Sequence, residues 1–273
     1  MWGATVPELP EICAYIHTLE TLVLREALED VTVKSPFVLR SVDPPVSEAR
    51  GRMVTGFRRM GKRIAWELEG ELFLVIHLMV AGRFKWHDKS VLPKTRNDLV
   101  AFRFARGTLM LTESGSKKRA SLHVVRSREG LAAHDPGGLE VLDSTVDEFR
   151  SVIQSENHTL KRSLTDPRLL SGIGSKYSDE ILFRARLSPV KWTSRLTEEE
   201  VERLHAAACE VLGDKLEELR SKAGETFPSE SRKAMYVYGR FREPCTECGT
   251  EIQQIKYSNR VTYYCPRCQT DGR

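Results

Sequence analysis

Apolar residues after Pro10 recur as Ile12, Ile16, Leu19 and Leu22. That spacing lays one stripe along a helix, and the Pro7 to Pro10 stretch gives the helix a stiff entry. From Val31 to about His123 the period shortens. Runs such as Val54–Phe57, Ile64–Leu68, Leu72–Leu78, Leu99–Phe104 and Thr108–Leu111 are separated by Gly, Pro or charged turns, which predicts an antiparallel sandwich or barrel. Ala133–Gly138 (AHDPGG) reads as a linker,. Beyond it the pattern is helical, over Val146–Ser155, from Pro167–Leu170 onward, and over Ser178–Ala185 before Pro189 stops it. Thr197 and Glu200 make a capping box ahead of Glu198–Leu219, where Val201, Leu204, Ala208, Val211 and Leu212 mark the buried stripe,. Pro244–Arg273 has too little apolar content for a core of its own. The order is β, then α, then a small staple.

The 273 residues suit one large domain or two ordinary ones with an appendage,. With 40% hydrophobic and 29% charged residues the chain is globular, neither a disordered tail nor a membrane protein,. Its longest apolar run, Leu72 to Val80, is broken by His77, so no spanning helix is predicted. The start, MWGATVPELPE, has no basic n-region or apolar h-region, and the expected location is the cytoplasm. The net charge of +4 conceals an uneven distribution. Arg50–Arg119 holds sixteen Lys or Arg against six Asp or Glu, and Arg220–Arg273 holds ten against six. Two cationic blocks suit a polyanion, and equally a solvated basic face.

Cys13 and Cys209 stand alone and read as small buried hydrophobes,. Cys245-x2-Cys248 and Cys265-x2-Cys268, sixteen residues apart, match a four-cysteine zinc ribbon,. Each two-residue spacer lets one turn present two sulfurs. Four thiolates fill the shell of Zn²⁺, so the metal would be structural and activate no water. Between the knuckles, Lys256, Asn259 and Arg260 lie beside Tyr257, Tyr263 and Tyr264. This reads either as a phosphate-contacting hairpin or as a solvated turn. Gly172-Ile173-Gly174, between helical stretches, permits a tight turn and close approach of a phosphate to the next helix N-terminus,. Lys161, Arg162 and Lys176 lie nearby in sequence. Glu8 and Glu11 flank prolines at the first helix N-terminus, where carboxylates face the positive end of the dipole,.

Taken in order, five segments resemble the Fpg/Nei family of DNA glycosylases. They are Val6-Pro7-Glu8-Leu9-Pro10-Glu11, Gly61-Lys62, His77-Leu78 ahead of Gly82, the Lys161–Pro189 stretch as a helix–two-turn–helix, and Arg260 to Gln269 as the zinc finger. The resemblance implies a multi-domain α+β protein. It would have an N-terminal helix plus antiparallel β-sandwich over 1–138, a helix–two-turn–helix domain over 139–239, and a four-cysteine zinc finger over 240–273. It implies a base-excision repair glycosylase and abasic-site lyase that removes oxidised bases and binds damaged double-stranded DNA as a monomer. Pro7 would be the nucleophile, Glu8 the general acid/base at the deoxyribose, and Lys62 a phosphate-contacting proton donor. Further DNA contacts would come from His77, Val80, Lys117, Lys118, Arg119, Lys161, Gly174, Ser175, Lys176 and Arg260, with zinc on Cys245, Cys248, Cys265 and Cys268. A proline α-amine suits the role: an α-amine titrates near 7.7–8.0 against about 10.4 for lysine, and its attack on C1′ leaves an iminium electron sink.

The sequence departs from the family pattern in several places. Residues precede Pro7, and an acylated proline nitrogen has no lone pair to give. The expectation is that translation starts at Val6, read from a GTG codon as methionine and removed ahead of Pro7. The alternative is a damaged-DNA or abasic-site binding protein with a blocked N-terminus and no chemistry. Ser175 stands where the family commonly has asparagine, and Val80 where it has methionine. Met79, one place away, would face the other side if the segment is a strand. The cationic Gly115-Ser116-Lys117-Lys118-Arg119-Ala120 replaces the family's arginine–phenylalanine pair. Ser221–Tyr238 is short for the loop of members specific for 8-oxoguanine. These features favour oxidised pyrimidines or formamidopyrimidines as substrates.

Overall fold

The computed structural model describes residues 6–115, 117–222, 224, 226–228, 235–257 and 260–270. The chain divides into two units, one of Met1–Asp135 with Leu219–Pro228, the other of Pro136–Glu218 with Ser229–Arg273. Among the described residues, no helix is long and apolar enough to cross a membrane.

In the first unit, helix α1 (Leu9–Val23) begins where the sequence supplies a proline in the first turn and a capping box,. The Glu11 carboxylate accepts the Glu8 backbone N–H at 3.0 Å. Ile12, Leu19 and Leu22 are buried as their spacing predicts, with Ile16 packed against the same core and Tyr15 and Thr18 beside them. Among the described residues eight strands follow: β1 (Asp30–Val33), β2 (Val54–Met60), β3 (Arg63–Leu68), β4 (Leu72–His77), β5 (Gly82–His87), β6 (Asp98–Phe104), β7 (Gly107–Glu113) and β8 (Ser121–Arg126). They form two antiparallel sheets in the orders β1-β6-β7-β5 and β2-β3-β4-β8. Trp66, with no exposed surface, sits in the core with its ring 4.9 Å from Phe102 and 5.5 Å from Phe57.

The continuous apolar run of β4 has a simple cause. Leu72, Leu74 and Ile76 face the main core, while Phe73 and Val75 pack with Ala65, Val125 and Leu131 on the other side. Leu131 belongs to the short helix α2 (Arg128–Ala132), so this strand is covered on both faces and loses the usual alternation. Thr226 and Phe227, remote in sequence, also belong to this unit. Thr18 Oγ1 donates to the Thr226 carbonyl at 3.3 Å, and the Phe227 ring stacks on Tyr15 at 5.4 Å and meets Phe84 at 5.8 Å.

The second unit is built on α3 (Val146–Ile153), α4 (Leu160–Thr165), α5 (Ser175–Arg184) and α6 (Glu198–Lys222), around Phe149, Leu164, Ile173, Tyr177, Ile181 and Leu204. The capping box before α6 forms as expected: Thr197 N–H meets Glu200 Oε2 at 3.0 Å and Glu200 N–H meets Thr197 Oγ1 at 3.3 Å. The helix expected to begin at Pro167 does not form. A helix runs over Leu160–Thr165 instead, and Pro167–Leu169 is a turn. Pro167 disfavours the helical region for Asp166, whose carboxylate then accepts the Arg168 N–H at 2.9 Å. The finger adds the antiparallel hairpin β9 (Gln253–Tyr257) and β10 (Arg260–Tyr264) and the short helix α7 (Pro266–Thr270). Its core joins Cys245, Ile252 and Cys265 to Val237 and to Phe183 of α5.

Candidate functional site

In the first unit, Pro7 is buried one residue ahead of Glu8, which is the N-cap of α1 and only 2% exposed. Helix α1 packs on β2 and β3, and Lys62 sits in the turn between those strands, after Gly61. Arg63 is the strand partner of His77 across β3 and β4. Burial, then Arg63 and Lys62, lowers the His77 imidazole to about 4. Its Nδ1 is buried without a hydrogen-bond partner among the described residues. A neutral imidazole among two fixed cations is a cationic corner that an anion would complete.

The chain turns sharply after His77. Met79 takes φ +56 inside the β4–β5 turn, so the alternation expected of a strand does not apply to it. Val80 lies at the exposed tip, 38% accessible. Glycine is required at position 82, because a Cβ there would come within 2.1 Å of the Leu78 carbonyl oxygen. The cationic loop after β7 hangs from Glu113, a buried carboxylate that sequence reasoning missed. Its oxygens accept the Arg119 N–H at 2.9 and 3.0 Å and the Ala120 N–H at 3.1 Å. Lys117 and Arg119 are exposed. Lys118 is turned inward, donating to Asn97 Oδ1 at 3.2 Å and to the Glu113 carbonyl. Ser116 lies outside the described residues.

In the second unit, the glycine turn forms with Gly172 at φ +78 and Gly174 as the N-cap of α5. Three expected phosphate contacts around it have other occupations. Lys161 Nζ donates to the Ser175 carbonyl at 2.7 Å, Ser178 Oγ at 2.8 Å and Asp179 Oδ1 at 2.6 Å, so all three of its protons are committed inside the fold. Ser175 Oγ donates to the Val261 carbonyl of the finger hairpin at 3.3 Å. Lys176 is 7% exposed, with its ammonium 4.5 Å from the centre of the Tyr177 ring. In this structure these side chains tie the turn together. Arg260, at the start of β10, is exposed. Asn259 lies outside the described residues.

Two acids of α5 connect the turn to the finger, and the sequence reading passed over both. Asp179 is fully buried, and its second oxygen accepts the Tyr263 N–H of β10 at 3.1 Å. Burial pushes its carboxyl up to about 7, against the opposing pull of Lys161. Glu180 accepts three successive backbone N–H groups, of Tyr236 at 2.7 Å, Val237 at 3.0 Å and Tyr238 at 2.8 Å. The available signal was Asp179-Glu180 inside YSDEILF, two adjacent acids in a helix whose neighbours are all core residues.

The four finger cysteines fit zinc. A tetrahedral ion with Zn–S bonds of about 2.3 Å sets its sulfurs about 3.8 Å apart. Here Cys245 and Cys268 Sγ are 4.0 Å apart and Cys248 and Cys265 Sγ 3.5 Å, with all four sulfurs within 4.8 Å of one another. Gln269 supports the cage, its Oε1 accepting the Cys265 N–H at 2.8 Å while its Nε2 donates to the Leu187 carbonyl at 3.0 Å. Bound there, zinc supplies a structural cross-link between the two knuckles.

Comparison with known proteins covers the same three segments. The formamidopyrimidine-DNA glycosylase N-terminal domain matches residues 6–119, its H2TH domain 137–225, and the zinc finger found in FPG and IleRS 242–270. The formamidopyrimidine-DNA glycosylase of Desulfitobacterium hafniense is 30% identical over 97% of this chain and 100% of its own length. That of Bacillus cereus is 31% identical over 97% and 99%. Among solved structures, the MutM (Fpg) protein of Thermus thermophilus aligns with a TM-score of 0.82 and 32% identity over 96% of this chain and 98% of its own. A complex between Lactococcus lactis Fpg and DNA containing an abasic site aligns at 0.84 with 25% identity, over 96% and 99%.

Proposed function

The chain belongs to the Fpg/Nei family, and from that membership we propose that it is a DNA glycosylase with abasic-site lyase activity. The carrying observation is the head of α1, where Pro7 and the buried Glu8 open the segment at which the family match begins. A free Pro7 amine attacks C1′ of the damaged nucleotide and the base leaves with its bonding pair. The attacking amine loses its proton, and the C1′–O4′ bond then breaks with its pair going to O4′, which Glu8 protonates, so the sugar opens to an iminium. The resulting iminium acidifies C2′ and permits β- and δ-elimination of the flanking phosphates. Lys62 and His77 on the first unit and Arg260 on the finger are assigned to the phosphates, with Lys117 and Arg119 adding cationic reach. Val80 is assigned to the gap left by an extruded nucleotide. The absence of an aromatic from the 115–120 loop favours oxidised pyrimidines or formamidopyrimidines over 8-oxoguanine. Much of the 221–238 stretch invoked for the same preference lies outside the described residues.

With residues 1–6 attached, the Pro7 nitrogen is an amide and cannot attack. That chemistry supports a second reading, a protein that grips abasic DNA without cleaving it. Borohydride trapping on abasic-site duplex separates the two, run on the full chain beside a chain beginning at Pro7, with the adduct mapped by mass spectrometry. An adduct on Pro7 in the shorter chain is the expected result. An adduct on Lys62 in both would move the nucleophile, and binding without any adduct would establish the second reading.

A further inference from the structure

Tyr257 is the most exposed aromatic side chain among the described residues, with 81% of its surface accessible. It ends β9, directly opposite Arg260, the first residue of β10. Facing positions across an antiparallel pair share one side of the sheet, so Tyr257 and Arg260 are neighbouring positions on that side. Lys256, also exposed, precedes Tyr257 in the chain. The other side of the hairpin is already in use. Tyr263 there meets the Tyr238 ring at 5.4 Å and packs with the cluster containing Phe183. Asp179 holds the Tyr263 backbone, and Ser175 holds that of Val261. The hairpin is therefore anchored by one face and presents the other, with an exposed ring beside Arg260, to whatever the finger meets,.

We infer that Tyr257 packs its ring on the deoxyribose of the DNA strand whose phosphate Arg260 holds, giving the finger a non-ionic grip beside its ionic one. The inference rests on the DNA-binding reading above. Two cations on one hairpin select a polyanion, and the least charged surface of a DNA strand is the C–H face of its sugars. An aromatic ring covers that face without reading sequence, as a repair protein that meets lesions in any context requires. Ionic and apolar contacts also leave different signatures. A lost phosphate contact reduces the dependence of affinity on salt, whereas a lost apolar contact lowers affinity equally at every salt concentration.

The test is fluorescence anisotropy of the full zinc-loaded chain with a duplex carrying a tetrahydrofuran abasic-site analogue, over a sodium chloride series. The variants are Tyr257→Ala, Tyr257→Phe and Arg260→Ala, each checked for unchanged zinc content. Tyr257→Ala is expected to weaken binding about tenfold at every salt concentration, the order of one aromatic surface lost. Tyr257→Phe should bind as the parent does, and Arg260→Ala should reduce the salt slope by about one. Parent-like affinity in Tyr257→Ala, or a reduced slope in it, would overturn the inference and leave the DNA-binding reading standing. A loss in Tyr257→Phe equal to that in Tyr257→Ala would assign the contact to the hydroxyl and overturn the apolar packing. Failure of the parent chain to bind the duplex would overturn both.

Discussion

His77 illustrates how much one side chain can impose. Its imidazole titrates at 6.5 when unperturbed and at about 4 in the fold, first because it is buried and then because Arg63 and Lys62 oppose a third positive charge. The unfolded chain therefore binds a proton over an interval in which the folded chain does not. Stability from this group is complete above 6.5, declines as pH falls toward 4, and changes no further below that. A gap of that size corresponds to about 3 kcal/mol. His77→Gln, compared with the parent by urea denaturation from about pH 7 down to about pH 4, is expected to remove roughly that much acid sensitivity. His123 and His134 are also held below their ordinary values by burial, so a shallower slope will remain. A variant as acid-sensitive as the parent would show that His77 titrates alike in the folded and unfolded chain.

Helix α5 does more than occupy one position in a turn. Through Asp179 it holds Lys161 on one side and the Tyr263 backbone on the other, and through Glu180 it gathers Tyr236 to Tyr238. Removing one member of a buried pair strands the other's charge at a cost of about 3–5 kcal/mol. Lys161→Met and Asp179→Asn are each expected to approach that cost. The double variant should lose less than the two together, because neither leaves a lone charge. Strict additivity in chemical denaturation would deny the coupling. The same element shows where sequence reading stops. The capping box at Thr197 and Glu200 was legible because both partners lie within one helical turn, and the zinc cage because its ligands recur at a fixed short spacing. Lys161 and Ser175 carried the right chemistry for phosphate, but no local pattern records that Asp179 and Val261, distant along the chain, already hold them. Strand β5 was hidden for a related reason: Arg83, Lys85 and His87 alternate with Phe84 and Trp86, so it lacks the apolar run that marked β4.

Across the whole molecule, the Arg50–Arg119 block lies in the first unit and most of the Arg220–Arg273 block in the second, so the two basic stretches fall on different units. It is tempting to treat the units as modules that could be produced apart. The chain argues otherwise, because after α6 it contributes Thr226 and Phe227 to the first unit, against Thr18, Tyr15 and Phe84. Phe227→Ala in the full chain is expected to cost about 2 kcal/mol, below the 3–5 typical of a fully enclosed phenylalanine, and to speed hydrogen exchange along α1. Exchange in α1 that ignores the substitution would show the ring to be a bystander. A gene fragment ending at Asp135 would encode every strand of the sandwich and still leave an aromatic gap beside Tyr15. Swapping such halves between relatives would therefore succeed only when residues 219–228 travel with the sandwich they complete, so the heritable unit here is discontinuous in the gene.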